Sequence, residues 1–179
     1  MNSFISGIIS GLIASAVLYI LLYRIKPKVR VAEKACQLPE DKNHISIKVV
    51  NMTNSNLIDV SCSLHFCQRG ADGNISANDV LKHPIVGVFI NSHLDEDKMY
   101  AIRLPYKVSD FQRAQIDDGH AFLMFTFYAR HSVSGTPVFI QKKYSSKSII
   151  AGFYENGDST EIVSPPNIVS GVDNEGKSA

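Results

Sequence analysis

This sequence carries almost none of the usual marks of catalysis. There is no G-x-S-x-G elbow, no Walker loop, no dinucleotide fingerprint and no H-E-x-x-H pair. The six histidines are dispersed. His65 and Cys67 share a strand face, but no third ligand accompanies them, so a buried structural pair is expected rather than a metal site. Asp72-Gly-Asn-Ile-Ser76 opens like a calcium loop. It then has Ala77 where that loop needs glycine and His83 where it needs glutamate. The acidic run Asp95-Glu96-Asp97 is expected at a solvated loop tip. The expectation is a protein that is not an enzyme and takes no cofactor or metal.

Surplus charge is missing as well. With 18 basic and 17 acidic residues the formal charge is +1, without the basic excess of a nucleic-acid binder. Cysteine is scarce. Three thiols, Cys36, Cys62 and Cys67, exclude a disulfide-stapled secreted scaffold and point to a reducing compartment. Cys62 and Cys67 are five apart, on opposite faces of a strand, and so are poor partners for each other.

Residues 4–23, FISGIISGLIASAVLYILLY, hold no charge and no proline. As a helix they span roughly 30 Å, the thickness of a bilayer's hydrocarbon core. A cleaved signal peptide would usually be shorter, with cations before it and an A-x-A-like site after it. Here Met-Asn-Ser precedes the span and a basic run follows, so an uncleaved anchor is expected. Arg24, Lys26, Lys28, Arg30 and Lys34 face one local acid, Glu33. By the positive-inside rule this places the C-terminal body in the cytoplasm and the N-terminus outside, with Tyr19 and Tyr23 near the inner interface. The sequons at Asn51 and Asn74 would then go unused. Gly7, Gly11 and Ser15 recur every fourth residue, beside a second small row of Ser6, Ser10 and Ala14. Such rows let helices approach closely in lipid, and self-association is expected.

After a basic junction with a first strand over residues 24–44, the period changes to that of a sheet. Strands are expected at 45–50, 57–67, 85–91, 100–104, 121–130, 138–144 and 149–154. Turn chemistry at 51–56 suggests a strand–turn–strand unit, a second turn is expected at 69–74, and 134–137 should close a hairpin. Only 109–116 has helical spacing. The stretch 122–128 is too apolar for an exposed strand and should cross the core. The expected fold is mainly β: an immunoglobulin-like antiparallel β-sandwich over 45–163, preceded by one transmembrane helix. A flexible tail is expected at 164–179.

Several segments have a family resemblance. Lys48-Val-Val-Asn-Met-Thr-Asn-Ser-Asn-Leu-Ile-Asp59 resembles the R-x-x-N-x-R-x-S run, ending in two apolar residues and an acid, of the inward-rectifier potassium channel cytoplasmic domain. His93-Leu-Asp-Glu-Asp-Lys-Met-Tyr100 is similar to that family's H-x-I-D-E-x-S-P-L-Y segment. Gly135-Thr136, Lys143-Tyr144-Ser145 and Gly152-Phe153 are similar to its last core strands, and Lys26-Pro27-Lys28 falls at its R-P-K-K-R junction. The likeness runs over about residues 20–160. The first membrane helix, the pore helix and the Thr-Val-Gly filter of the family have no counterpart, so K⁺ conduction is not implied. Asp97-Lys98-Met99 stands in place of the family's Ser-Pro-Leu. The resemblance implies a sandwich assembled as a cyclic tetramer, with anionic lipid held by junction cations: Lys26 and Lys28, with Arg24 and Arg30 beside them.

The leading expectation is a single-pass, self-associating module that binds lipid and a protein or small-ligand partner. The alternatives are a membrane-perturbing or pore-forming effector assembled through the small helix face, and an accessory subunit of a channel or transporter.

Overall fold

The structure is a computed structural model that describes residues 2–70, 72–81, 89–97 and 99–163. The expected tail from Ser164 and the first part of the strand expected at 85–91 lie outside the described residues.

Asn2–Arg24 form helix α1. Its stretch Phe4–Leu22 is long and apolar enough to cross a membrane, and none of it is buried against the body. Beyond it the chain forms two facing five-stranded sheets. The first contains β1 (Val29–Val31), β2 (Ala35–Gln37), β3 (His44–Asn51), β7 (Ala101–Lys107) and β10 (Ile149–Ala151). There β3 pairs with β7 on one side and with β1 and β2, end to end, on the other; β10 lies outside β2. The second contains β4 (Leu57–Arg69), β5 (Ile75–Leu81), β6 (Phe89–Ile90), β8 (Ala121–His131) and β9 (Pro137–Tyr144). Its order is β5-β4-β8-β9, with β6 also on β4.

Inward residues of both sheets make one core. Ile45, Ile47, Val49 and Tyr106 from the first meet Leu64, Leu123, Phe125 and Phe127 from the second. Tyr106 and Phe125 meet edge to face, 6.4 Å between ring centroids. The mainly β sandwich behind an apolar helix is therefore observed, with 122–128 crossing the core in β8 as expected. One pair, β2 with β10, is parallel. The hairpin closed at 134–137 is also present, as β8 and β9. The helix expected at 109–116 is α2 (Asp110–Asp117), capped by Ser109, whose hydroxyl accepts from the Gln112 N–H while the Gln112 side chain accepts from the Ser109 N–H.

Three details differ from expectation. The strands on either side of 52–56 do not pair with each other: β3 belongs to one sheet and β4 to the other, so this loop arches across the sandwich. Asp59, at φ 52°, begins a bulge in which Asp59 and Val60 together oppose Ala129 of β8. The bulge shifts the alternation, so Leu57 rather than Ile58 enters the core alongside Val60. The strand expected at 149–154 is broken at Gly152, where a Cβ would sit 2.4 Å from the Val163 carbonyl oxygen. Its second half, β11 (Phe153–Tyr154), pairs with β12 (Ile162–Val163). This ribbon covers the outer surface of the first sheet, where Tyr154 packs with Ala32 and Cys36.

Candidate functional site: a basic groove where helix meets sandwich

Between α1 and β1 the chain runs Ile25-Lys-Pro-Lys28. Pro27 lacks an N–H and disfavours helical backbone at Lys26, which is why the helix closes at Arg24. The junction is then fastened to the body through its backbone. The Lys28 N–H donates to Thr53 Oγ1 at 2.7 Å, and the Lys28 carbonyl accepts from the Met52 N–H at 2.7 Å. The Ile25 carbonyl accepts from the Ser134 hydroxyl at 2.8 Å. The loops 52–56 and 132–136 thus both grip the segment leaving the helix.

β1 carries this segment along the edge of the first sheet, beside β9 at the edge of the second. Between them lies a groove of about 720 Å³. Val31, Met52, Val138 and Ile140 make it apolar, while Lys28, Arg30 and Lys142 make it cationic. Among the described residues Glu33 is the one acid in its lining, and it pairs with Lys142. The pair is largely solvent-exposed at Glu33 and contributes little stability. Three cations against one carboxylate leave the groove basic.

A second hollow, of about 300 Å³, adjoins it; Lys26, Lys28, Thr53, Ser55 and His131 are in its wall. The His131 ring is buried. Its Nδ1 accepts from the Val133 and Ser134 N–H groups, both at 3.2 Å, so its proton sits on Nε2. Burial pushes its pKa down, and the ring is neutral near pH 7.

The sequence-predicted cations therefore gather in part. Lys28 and Arg30 share the groove, Lys26 joins Lys28 in the hollow, and Arg24 closes α1. Lys142 was missed, because nothing in the run 138–144 shows that β9 would face β1 across the sandwich. Its position two residues beyond Ile140 was the available signal, since residues two apart share a strand face.

On α1, a Cβ added at Gly7 or Gly11 would meet nothing within 4 Å. Ser10 donates to the Ser6 carbonyl at 2.5 Å and Ser15 to the Gly11 carbonyl at 2.9 Å. The small-residue face is thus smooth, and these two hydroxyls are satisfied within the helix.

Other chemistry is structural. His65 contacts the Ser63 hydroxyl at 3.1 Å. Asp72 accepts from the Asn74 backbone and side chain, closing the β4–β5 turn. Asp95 accepts from Asn91 Nδ2 and the Met99 N–H, ordering its loop. Among the described residues no three of His, Cys, Asp or Glu gather as metal ligands. The three thiols are free. Burial pushes Cys62 up to about 12 and raises Cys36 and Cys67, so all three are poor nucleophiles.

No family model matches the sequence, and no curated protein matches it either. The assignment of function therefore rests on the site itself, which combines cations, an apolar wall and a position directly behind a membrane-length helix.

Proposed function

We propose that this chain is a single-pass membrane protein whose cytoplasmic sandwich self-associates and holds anionic lipid in the basic groove behind the helix. The observation that carries this reading is the placement of Lys28, Arg30 and Lys142 around apolar side chains only a few residues after the span. Cations near an anionic leaflet gain about 1 kcal/mol each, and the apolar wall suits the glycerol and upper acyl region of a lipid. The cationic flank of α1 supports an inward-facing body. The unpartnered Gly7, Gly11 and Ser15 face supports close helix packing between copies. The resemblance to inward-rectifier cytoplasmic domains supports a ring of four, serving as a regulatory or partner-binding module without a pore.

A pore built from the serine-bearing face has less support. Ser10 and Ser15 donate to carbonyls of their own helix, so lipid-facing packing leaves neither of these two hydroxyl donors unsatisfied. An accessory subunit remains compatible with the groove, and its channel or transporter would copurify at fixed stoichiometry.

The test is native mass spectrometry of the full chain released from nanodiscs of mixed zwitterionic and anionic lipid. The reading predicts particles of more than one subunit that retain anionic lipid above its bulk fraction. Lys28→Glu with Arg30→Glu and Lys142→Glu should abolish the enrichment while leaving the subunit number unchanged. Monomers carrying lipid at the bulk ratio would refute both parts.

A further inference from the structure

We propose that the β8–β9 turn is a second membrane contact: its tip, Val133, rests in the headgroup layer of the leaflet from which α1 emerges. The sandwich is then docked on the bilayer rather than hung below it. This rests on the reading of α1 as a membrane span.

The argument is one of distance. The membrane-length stretch ends at Leu22. The Ile25 N–H still donates to the Leu22 carbonyl at 3.1 Å, so these three residues advance only about 4.5 Å at the helical rise. The Ser134 hydroxyl sits 2.8 Å from the Ile25 carbonyl, and Val133 is the next residue. The tip therefore lies no more than roughly 16 Å from the end of the span. The interfacial layer of one leaflet is roughly 5–7 Å deep. With the junction fastened in this way, the turn is held within reach of the interface.

The turn is also built for that position. Residues 131–136, His-Ser-Val-Ser-Gly-Thr, carry no charge while His131 is neutral. Val133 is 62 % exposed at the tip. A single exposed valine ordinarily needs no explanation, but this one is held beside the helix exit. The Ser134 hydroxyl is also 2.9 Å from Thr136 Oγ1, and the Gly135 N–H donates to the His131 carbonyl at 2.9 Å. The turn is thus ordered before it meets lipid, and docking costs little further conformational freedom. Lys26 and Lys28 stand beside it, where anionic headgroups would meet them.

The chain has no tryptophan, so one introduced tryptophan reports alone. Three full-length variants would be reconstituted in vesicles containing lipid brominated in the acyl chains. Leu12→Trp lies in the span, and Val133→Trp in the turn. Phe111→Trp lies on α2, exposed, ahead of the opposite end of the 11-residue β8. The expected result is strong quenching at 12, none at 111, and intermediate quenching with blue-shifted emission at 133. Ser134→Ala should weaken the quenching at 133 by releasing the clasp on Ile25. Ser132→Trp, exposed in the same turn, serves as a second reporter should tryptophan at 133 perturb the fold. Quenching at 12 with positions 132 and 133 matching 111 would overturn the docking and leave the anchor standing. No quenching at 12 would overturn both.

Discussion

Lys48 is a buried cation with no carboxylate bonded to it among the described residues. On β3 it is only 1 % exposed, and its Nζ donates to the Glu155 and Ser159 carbonyls, both at 2.6 Å. Burial is the first cause lowering its pKa, the Arg103 guanidinium the second, while Asp158 and Glu155 act against them. Arg103, its cross-strand neighbour, donates to the Tyr154 carbonyl at 3.1 Å and to Asn156 Oδ1 at 2.9 Å. Together the two clamp the loop between β11 and β12. Lys48→Met removes the donor from both carbonyls; Glu155 keeps Arg103 at 3.4 Å, so the half-buried Ser159 carbonyl is the acceptor left stranded, at about 1–3 kcal/mol. A chemical denaturation curve should show a loss in that range, with faster amide exchange over 155–163; unchanged exchange there would contradict the clamp. In the sequence this lysine looks like the polar half of a half-buried strand. Its cover arrives 107 residues later, which local alternation does not reveal.

Two buried phenols make the fold sensitive to alkali. The Tyr144 hydroxyl donates to the Ala32 carbonyl at 2.6 Å, and that of Tyr154 to the Lys34 carbonyl at 2.7 Å. Burial raises both pKa values above the ordinary 10.0. A folded value above the unfolded one means the stabilisation is complete below pH 10 and is lost as pH rises through the folded values. Lys48, lowered from 10.5, has the opposite sign: in the window just below 10.5 the unfolded chain binds more protons, so stability rises there with pH. The three thiols, raised from 9.0, act in the same direction as the phenols, so stability should fall from about pH 9 upward, with tyrosinate absorbance from the two phenols appearing together with loss of the β signal. Ionisation of all seven tyrosines in an intact sandwich would contradict this.

At the scale of elements, the helix and the terminal ribbon make separate predictions. Gly11→Leu fills the smooth face of α1 without touching the body, because nothing lies within 4 Å of a Cβ there. Energy transfer between labelled copies in a bilayer should drop, while the melting temperature of the sandwich stays unchanged; undiminished transfer would remove this face from the interface. Gly152→Ala would push a methyl against the Val163 carbonyl, 2.4 Å away, a clash that costs about 1–3 kcal/mol. The ribbon should detach and expose Cys36, whose thiol lies 2.8 Å from the Gly152 carbonyl, to thiol reagents. Slow labelling as in the wild type would show that the clash is absorbed elsewhere.

The legible elements were those whose signal is local. The β8–β9 hairpin has an apolar strand and a Ser-Gly-Thr-Pro turn, and α2 has its serine cap. β5, Ile75-Ser-Ala-Asn-Asp-Val-Leu81, went unrecognised because three polar residues interrupt its alternation; it is a strand through its pairing with β4. The turn at 51–56 between two strands was legible but its destination was not, because turn chemistry looks the same whether the chain returns within a sheet or arches to the facing one. Asp59 gave no warning of its bulge, since a left-handed aspartate is not marked by sequence alone.

For the molecule as a whole, the order of parts was readable from composition: an uncharged run, a cationic boundary, then sheet periodicity. The groove was readable only in half, because Lys28 and Arg30 are adjacent in sequence while Lys142 arrives from the facing sheet. Its role depends on which side of the membrane the sandwich occupies, and the two sequons differ usefully as reporters. Asn51 is buried, with Nδ2 donating to the Ser55 and Asn91 carbonyls. Asn74 stands exposed in the β4–β5 turn. The most direct test is to insert the full chain into sealed microsomes, add an impermeant amine reagent outside, and read the mass of each peptide. An inward-facing body predicts labelling of the exposed Lys42, Lys107 and Lys147 and an unmodified Asn74. Protected lysines and a glycan on Asn74 would place the sandwich on the other face and remove the basis for an inner-leaflet lipid site.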